Sequence, residues 1–311
     1  MGTIDFHCLL CGCREEHPLT YASRGFWNYY LCRNCGVVSL SPTPQGRELE
    51  VYYNEAYSVA REAYARGTKR NAPPILRKLA ENLPGKGKLL ELGSSYGFFL
   101  DAARRDGWDV TGIELDSNAA AYGRERLGLR VFPGTLESEL ARLQPPYDAI
   151  AAFHVLEHVS DPMRFLLACR KLLRNGGMLM LKTPNVASWI AKRTKADWGW
   201  LSPPAHIHLL SPGSLELALR KSGFRVQEIG SRRGDACNNL FELVYSLGRH
   251  MLLRGPGQAR VGNGRKGWSD RWQVKAVRTA SEAIYYPLRL VLDPWLEKKG
   301  LQPELLAIAR L

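Results

Sequence analysis

Three groups of residues in this chain have side chains and spacings suited to chemistry. The first is two C-x-x-C pairs, Cys8 with Cys11 and Cys32 with Cys35, each pair followed by a glycine, Gly12 or Gly36. Four thiolates converging on one ion match a tetrahedral zinc site, and the glycines relieve the tight turns that aim both sulfurs of a pair inward. Four such ligands leave no open coordination position, so the expected zinc is structural; Cys13 and His17 are nearby spare ligands. The second group is a pair of acids, Glu91 and Glu114, each at the end of an apolar run, with Gly93, Ser94, Ser95 and Gly97 following the first. A turn of small residues after a strand lets a ligand approach the backbone, and a carboxylate at the tip of the next strand can chelate the two hydroxyls of a ribose. The third group is histidine: His154, His158, His206 and His208. A neutral imidazole near pH 7 can take a proton from a hydroxyl, the work of a general base.

These residues need elements to hold them. Leu89–Leu92 is too short for a helix and suits a buried parallel strand; Phe98–Arg105 reads as a helix stopped by Gly107, and Trp108–Ile113 as the next strand. Arg130–Phe132 is a third strand, Tyr147–Phe153 a fourth delivering His154, and Met178–Leu181 a fifth. The helix over Asp161–Arg174 starts with Asp161 as cap and Pro162 at its first position, and Asn175-Gly176-Gly177 is its expected stop. Ser211-Pro212 opens another helix to Arg220, Phe224–Ile229 is a sixth strand, and Glu304–Leu311 a seventh. Between them Asp197–His208, with two tryptophans, two prolines and two histidines, reads as an ordered loop over a site. His154 to His158 also spells H-x-x-E-H, an inverted zinc-protease motif, but that motif needs a helix and here the helix begins only at Pro162.

The acid at the first strand end, G-x-x-x-G, and the acid at the second strand end resemble motif I and its partner in the class I S-adenosylmethionine (SAM)-dependent methyltransferases. The runs HVLEHVSDP and G-G-x-L-x-x-x-T-P-N are similar to a subgroup that includes ubiquinone-type, sugar and natural-product methyltransferases. The resemblance implies an α/β fold: a Rossmann-like seven-stranded sheet with helices on both faces, here joined by an N-terminal zinc ribbon and a helical insertion before the last strand. It implies that Glu91 faces the methionine amino group, that Gly93, Ser94, Ser95 and Gly97 pass under the cofactor, and that Glu114 holds the ribose. Leu115, Thr135, Leu136 and His154 complete the implied cofactor site. Ser95 stands where the family has glycine, which implies a slightly more open turn. In relatives a P-P-x-H-L segment covers the substrate, which makes His206 the first choice for the base, His154 the second and His208 a third candidate.

The division that follows is a zinc ribbon over 1–41, a helical linker or cap over 42–84, a SAM-binding core over 85–235, a helical insertion over 236–302 and the final core strand over 303–311. Tyr52, Tyr53 and Tyr57 fall in the linker, as core or as pocket lining. The net charge of +13 is concentrated: Arg249 to Arg278 carries eight basic residues against one acid. Charge gathered in an insertion, and an aromatic segment between the knuckles that reads as a packed two-strand ribbon, argue against a nucleic-acid partner; a small-molecule acceptor is the expected one. Residues 249–296 could also contact anionic lipid at a membrane surface. The first residues lack a basic region followed by an apolar stretch, so the expected location is cytoplasmic. The expected reaction is methyl transfer to oxygen of a sugar, glycan intermediate or secondary metabolite. The alternatives are a sugar C-methyltransferase, an RNA methyltransferase, or a non-catalytic zinc-ribbon protein that binds nucleic acid.

Overall fold

The computed structural model describes residues 6–15, 18–44, 61–232 and 292–311. The expectations for Tyr52, Tyr53, Tyr57, His17 and nearly all of the basic insertion lie outside the described residues. Within them, seven strands form the central sheet: β6 (Lys88–Leu92), β7 (Asp109–Glu114), β8 (Val131–Pro133), β9 (Tyr147–Phe153), β10 (Leu173–Pro184), β12 (Arg225–Arg232) and β13 (Glu304–Arg310). Their order is β12-β13-β10-β9-β6-β7-β8. From β10 to β8 all neighbours are parallel, and β13 runs antiparallel to both β10 and β12. The chain reverses its direction of winding at β6, whose neighbours are β7 and β9, so the crevice for a ligand opens above the tips of these strands.

Helices cover both faces, as the amphipathic patterns require. On one side lie α1 (Arg61–Asn82), α2 (Phe98–Arg105) and α3 (Ser117–Leu127), packing Leu79, Phe99, Leu100 and Ala120 on the sheet. On the other, α5 (Pro162–Leu172) and α7 (Pro212–Lys221) bury Phe165, Leu166, Leu215 and Leu219. Each such fully buried leucine contributes about 1.5–3 kcal/mol relative to exposure, so the sheet is held firmly from both sides. Between β8 and β9 lies the short helix α4 (Leu136–Glu139), and after β10 comes α6 (Trp189–Thr194). No helix among the described residues is long and apolar enough to cross a membrane.

Two local expectations are corrected. Asn175-Gly176-Gly177 does not end a helix; α5 stops at Leu172 and β10 begins at Leu173, with a bulge between Leu173 and Met178. A Cβ on Gly177 would meet the Arg174 carbonyl at 2.9 Å, so glycine is needed inside a strand irregularity. The ribbon is also larger than the expected two strands. A small pair, β1 (Phe6–His7) with β2 (Arg14–Glu15), precedes β3 (Leu19–Arg24), β4 (Trp27–Leu31) and β5 (Val38–Ser41). The outer edge of β5 is completed by β11 (His208–Leu209), which pairs Ser39 with His208 and Val38 with Leu209. The aromatic face of β4 thereby gains a cover: Trp27 and Tyr29 pack with Trp198, Leu201, Ile207 and Leu209.

Candidate active site and cysteine centre

The cysteine pairs fold as two matching knuckles. Gly12 N–H donates to the Cys8 carbonyl and Gly36 N–H to the Cys32 carbonyl, both at 2.8 Å, with φ of 80° and 76° at the two glycines. Cys8 and Cys35 sulfurs lie 3.6 Å apart, as do those of Cys11 and Cys32, and all four lie within 4.8 Å of one another. Tetrahedral zinc with bonds near 2.3 Å separates its sulfurs by about 3.8 Å, so this donor set fits that ion. Hydrogen bonding from Cys35 and from backbone amides brings the Cys8 thiol down to about 5, despite burial. The ribbon is tied to the rest of the protein at this point: Lys221 Nζ on α7 donates to the carbonyls of Leu10 and Cys11.

Above the sheet, near the end of β6, stands Glu91, next to the strand's final residue and 1% exposed. Its Oε2 has no hydrogen-bond partner, and neither does Oγ of the fully buried Ser94. Burial, with the Glu114 carboxylate nearby, holds the Glu91 carboxyl well above its ordinary range. Orphaned buried polar atoms at a strand tip are costly unless a ligand group completes them, and a methionine ammonium would do so. Glu114, at the tip of β7, accepts from Ser95 N–H at 2.6 Å and from Asp116 N–H at 2.8 Å. Burial raises its pKa in spite of those amides.

The turn between the acids keeps a glycine-like path. Ser95 has φ 48°, in the left-handed region, between Gly93 at 71° and Gly97 at 80°. The expectation of a more open turn at Ser95 is therefore answered by a serine that accepts the strained conformation, anchored by Glu114. A Cβ on Gly93 would meet Val155 Cγ2 at 2.5 Å, so this glycine makes room for the turn after β9. Leu115 is exposed beside Glu114, whereas Leu136 is buried. Thr135 caps α4 by accepting from Ser138 N–H.

The histidines gather from distant parts of the chain but are not equivalent. His154, at φ 58°, leaves β9 with Nδ1 3.2 Å from Glu157 Oε1 and Nε2 3.4 Å from Glu304 Oε1. Its ring stacks on Trp200 at 5.2 Å and 8°. Burial opposes charge there, but Glu304 and Glu157 push the pKa up to about 10. A cationic ring cannot accept a proton, which argues against His154 as a base.

His206 is different. Its Nδ1 lies 2.5 Å from the Trp200 carbonyl, so that nitrogen carries the proton and Nε2 the lone pair. Burial and His158 lower its pKa to about 4, which leaves the ring neutral. His158 is held likewise, Nδ1 to the Ala205 carbonyl at 2.9 Å, and its ring centre lies 4.7 Å from that of His206. A donor atom of Glu157 lies within 4.8 Å of those of both histidines. Glu157 is fully buried, receives Thr183 Oγ1–H at 3.1 Å and stays ionised, against burial, chiefly through His154, at about 2. His208 is elsewhere: on β11 its Nδ1 is 3.0 Å from Ser39 Oγ and its Nε2 3.3 Å from the Ser160 carbonyl. Both of its nitrogens are engaged in joining ribbon to core.

Sequence reasoning missed Trp200, Thr183, Tyr29 and Glu304 as parts of this constellation. Glu304 had a readable signal, an acid opening an otherwise apolar strand. Tyr29 had none, because a buried tyrosine in an aromatic ribbon reads as core; its hydroxyl donates to the His206 carbonyl at 2.9 Å.

Comparison with known proteins adds a family. A methyltransferase-domain family model matches residues 62–229, more than half of the chain. The ubiquinone biosynthesis O-methyltransferase of Cereibacter sphaeroides is 30% identical over 167 residues, covering 50% of this chain and 68% of that protein. The protein of the same name from Xylella fastidiosa is 29% identical over 185 residues, covering 55% and 75%. A solved SAM-dependent methyltransferase from Archaeoglobus fulgidus is 18% identical, covering 80% of this chain and 97% of its own, with a TM-score of 0.48.

Proposed function

The chain belongs to the methyltransferase-domain family, and on that premise we propose that it transfers a methyl group from SAM to a hydroxyl of a small-molecule acceptor. The observation that carries this reading is the pair of acids at adjacent strand tips, buried Glu91 with an unpartnered oxygen and half-buried Glu114 gripping the glycine turn between them. In this reading Glu91 receives the methionine ammonium and Glu114 the ribose hydroxyls, with Gly93, Ser94, Ser95 and Gly97 beneath the cofactor and Leu115, Thr135 and Leu136 at the adenine end. When bound, SAM supplies an already activated methyl on a sulfonium, so the protein chiefly aligns the acceptor and removes its proton.

His206 fills the second role. Its neutral Nε2 takes the hydroxyl proton as the methyl arrives, and the Glu157 carboxylate offsets the charge that forms on the ring. The four cysteines hold a structural zinc that keeps the ribbon closed against α7 and β11. Oxygen is preferred to carbon as acceptor on the strength of the ubiquinone-type relatives, whose names specify O-methylation. The test is a labelled-methyl assay with candidate hydroxylated acceptors, comparing the natural protein with His206→Ala. Turnover should fall by roughly 10²–10⁴-fold while SAM affinity is kept. Unchanged turnover would remove His206 from the chemistry, and absent SAM binding by the natural protein would remove the reading itself.

A further inference from the structure

The tip of β9 holds an arrangement that the methyl-transfer reading does not use. His154 lies between two carboxylates that reach it from opposite sides, Glu157 from the turn just after it at 3.2 Å from Nδ1 and Glu304 from the distant last strand at 3.4 Å from Nε2. Trp200 covers its ring in parallel. The backbone at His154 is left-handed, a conformation that costs a non-glycine residue about 1–2 kcal/mol and persists only where surroundings hold it.

Glu304 is held firmly in turn. It opens β13, paired with Pro184 on one side and Arg232 on the other. The segment leading into it is pinned by Asn185: Nδ2 donates to the carbonyls of Gly300 and Gln302, and its backbone N–H to that of Pro303 at 2.7 Å. Gln302 N–H donates to Ser231 Oγ, and Trp189 N–H to the Leu301 carbonyl. Such anchoring sets the Glu304 carboxylate in one place, only 9% exposed.

We propose that Glu304 is a positioning residue of the active site: with Glu157 it brackets both ring nitrogens of His154, holds the ring against Trp200 and withdraws it from proton transfer. The inference rests on the methyl-transfer reading only in taking the tip of β9 as the reaction centre. Charged and titratable groups facing His154 are Glu157 from the turn after β9, Glu304 from β13, Lys182 from β10 through its effect on Glu304, and His158 and His206 through Glu157. With His154 protonated and both carboxylates ionised, Lys182 brings the sum to zero, so the network is closed and a proton leaving His154 would leave a buried negative excess. The tip of β9 thus offers an acceptor the face of a ring whose N–H groups are already committed, and the proton must go to His206.

The experiment is a pH titration of the full chain labelled with ¹⁵N-histidine, reading ring nitrogen shifts, with His154→Gln to identify the signal. His154 should show both nitrogens protonated through neutral pH and titrate only near about 10. In Glu304→Gln its midpoint should fall by roughly two pH units, and Glu304→Asp should recover part of that shift. An ordinary midpoint near 6.5 in the natural protein would overturn the proposal even if Glu304→Gln failed to fold, and so would a midpoint indifferent to Glu304→Gln. SAM affinity measured on the same sample separates the two claims: its loss would sink the methyltransferase reading and leave the His154 titration to be judged by itself.

Discussion

Glu91 and Glu114 stand side by side but carry different structural burdens, and their variants should behave differently. Glu91 is buried with an oxygen that nothing completes, so it costs stability in the absence of ligand. Glu91→Met should therefore leave the ligand-free protein as stable or more stable by about 1 kcal/mol, and should abolish the rise in melting temperature that SAM induces. A lower melting temperature together with a surviving SAM response would contradict the assignment. Glu114 also organises the turn through the amides of Ser95 and Asp116. Glu114→Ala should weaken SAM binding by calorimetry at least tenfold and cost about 1–2 kcal/mol of stability, because two backbone donors lose their acceptor. Affinity equal to that of the natural protein would end the ribose assignment.

Among the elements, the β5–β11 pairing carries the most consequence. It joins the ribbon to the loop bearing His206 through Ser39 to His208, Leu40 N–H to the Ile207 carbonyl, and Tyr29 to the His206 carbonyl. Loss of the proposed metal would release the Cys32–Cys35 knuckle from which β5 departs. If the four cysteines hold zinc as proposed, a chelator should reduce turnover by roughly tenfold or more while SAM affinity changes by less than about threefold, and added zinc should restore turnover. Tyr29→Phe should produce a milder version of the same separation, since it deletes one hydrogen bond worth about 1 kcal/mol. Equal loss of both functions on chelation would mean that the ribbon supports the whole fold and not the histidine loop in particular.

For the molecule as a whole, buried histidines set the response to acid. His206 and His208 are lowered by burial from 6.5 to about 4, so the unfolded chain binds their protons at pH values where the folded protein does not. Their contribution is intact above pH 6.5 and is lost as pH falls toward 4, by roughly 3 kcal/mol for each. Glu157, at about 2, is lost only at still lower pH. His154 works in the other direction: raised to about 10, it stabilises fully below pH 6.5 and loses its effect as pH rises through 10. Urea unfolding followed from pH 8 to 4 should show falling stability below pH 6.5, and a His208→Asn variant should show a shallower fall. A flat profile across that interval would mean that these rings are solvated.

Much of this protein was legible before folding because it is written locally. Strand runs such as YDAIAAF, the Asp161-Pro162 helix start, the glycines of the turn and the cysteine knuckles depend on neighbours a few residues away, and each appears where its pattern places it. The number of strands follows from the same alternation, whereas the place of β13 between β10 and β12, antiparallel to both, is set by tertiary pairing. What the sequence could not decide was which histidine is able to act. His154, His206 and His208 are the same side chain, and their charge is set by surroundings assembled from elsewhere: Glu304 and Glu157 against burial for His154, burial and His158 for His206, and burial for His208. A pKa is the work of bringing a charge into a particular surrounding, and that surrounding exists only once the ribbon, the loop and the last strand have come together.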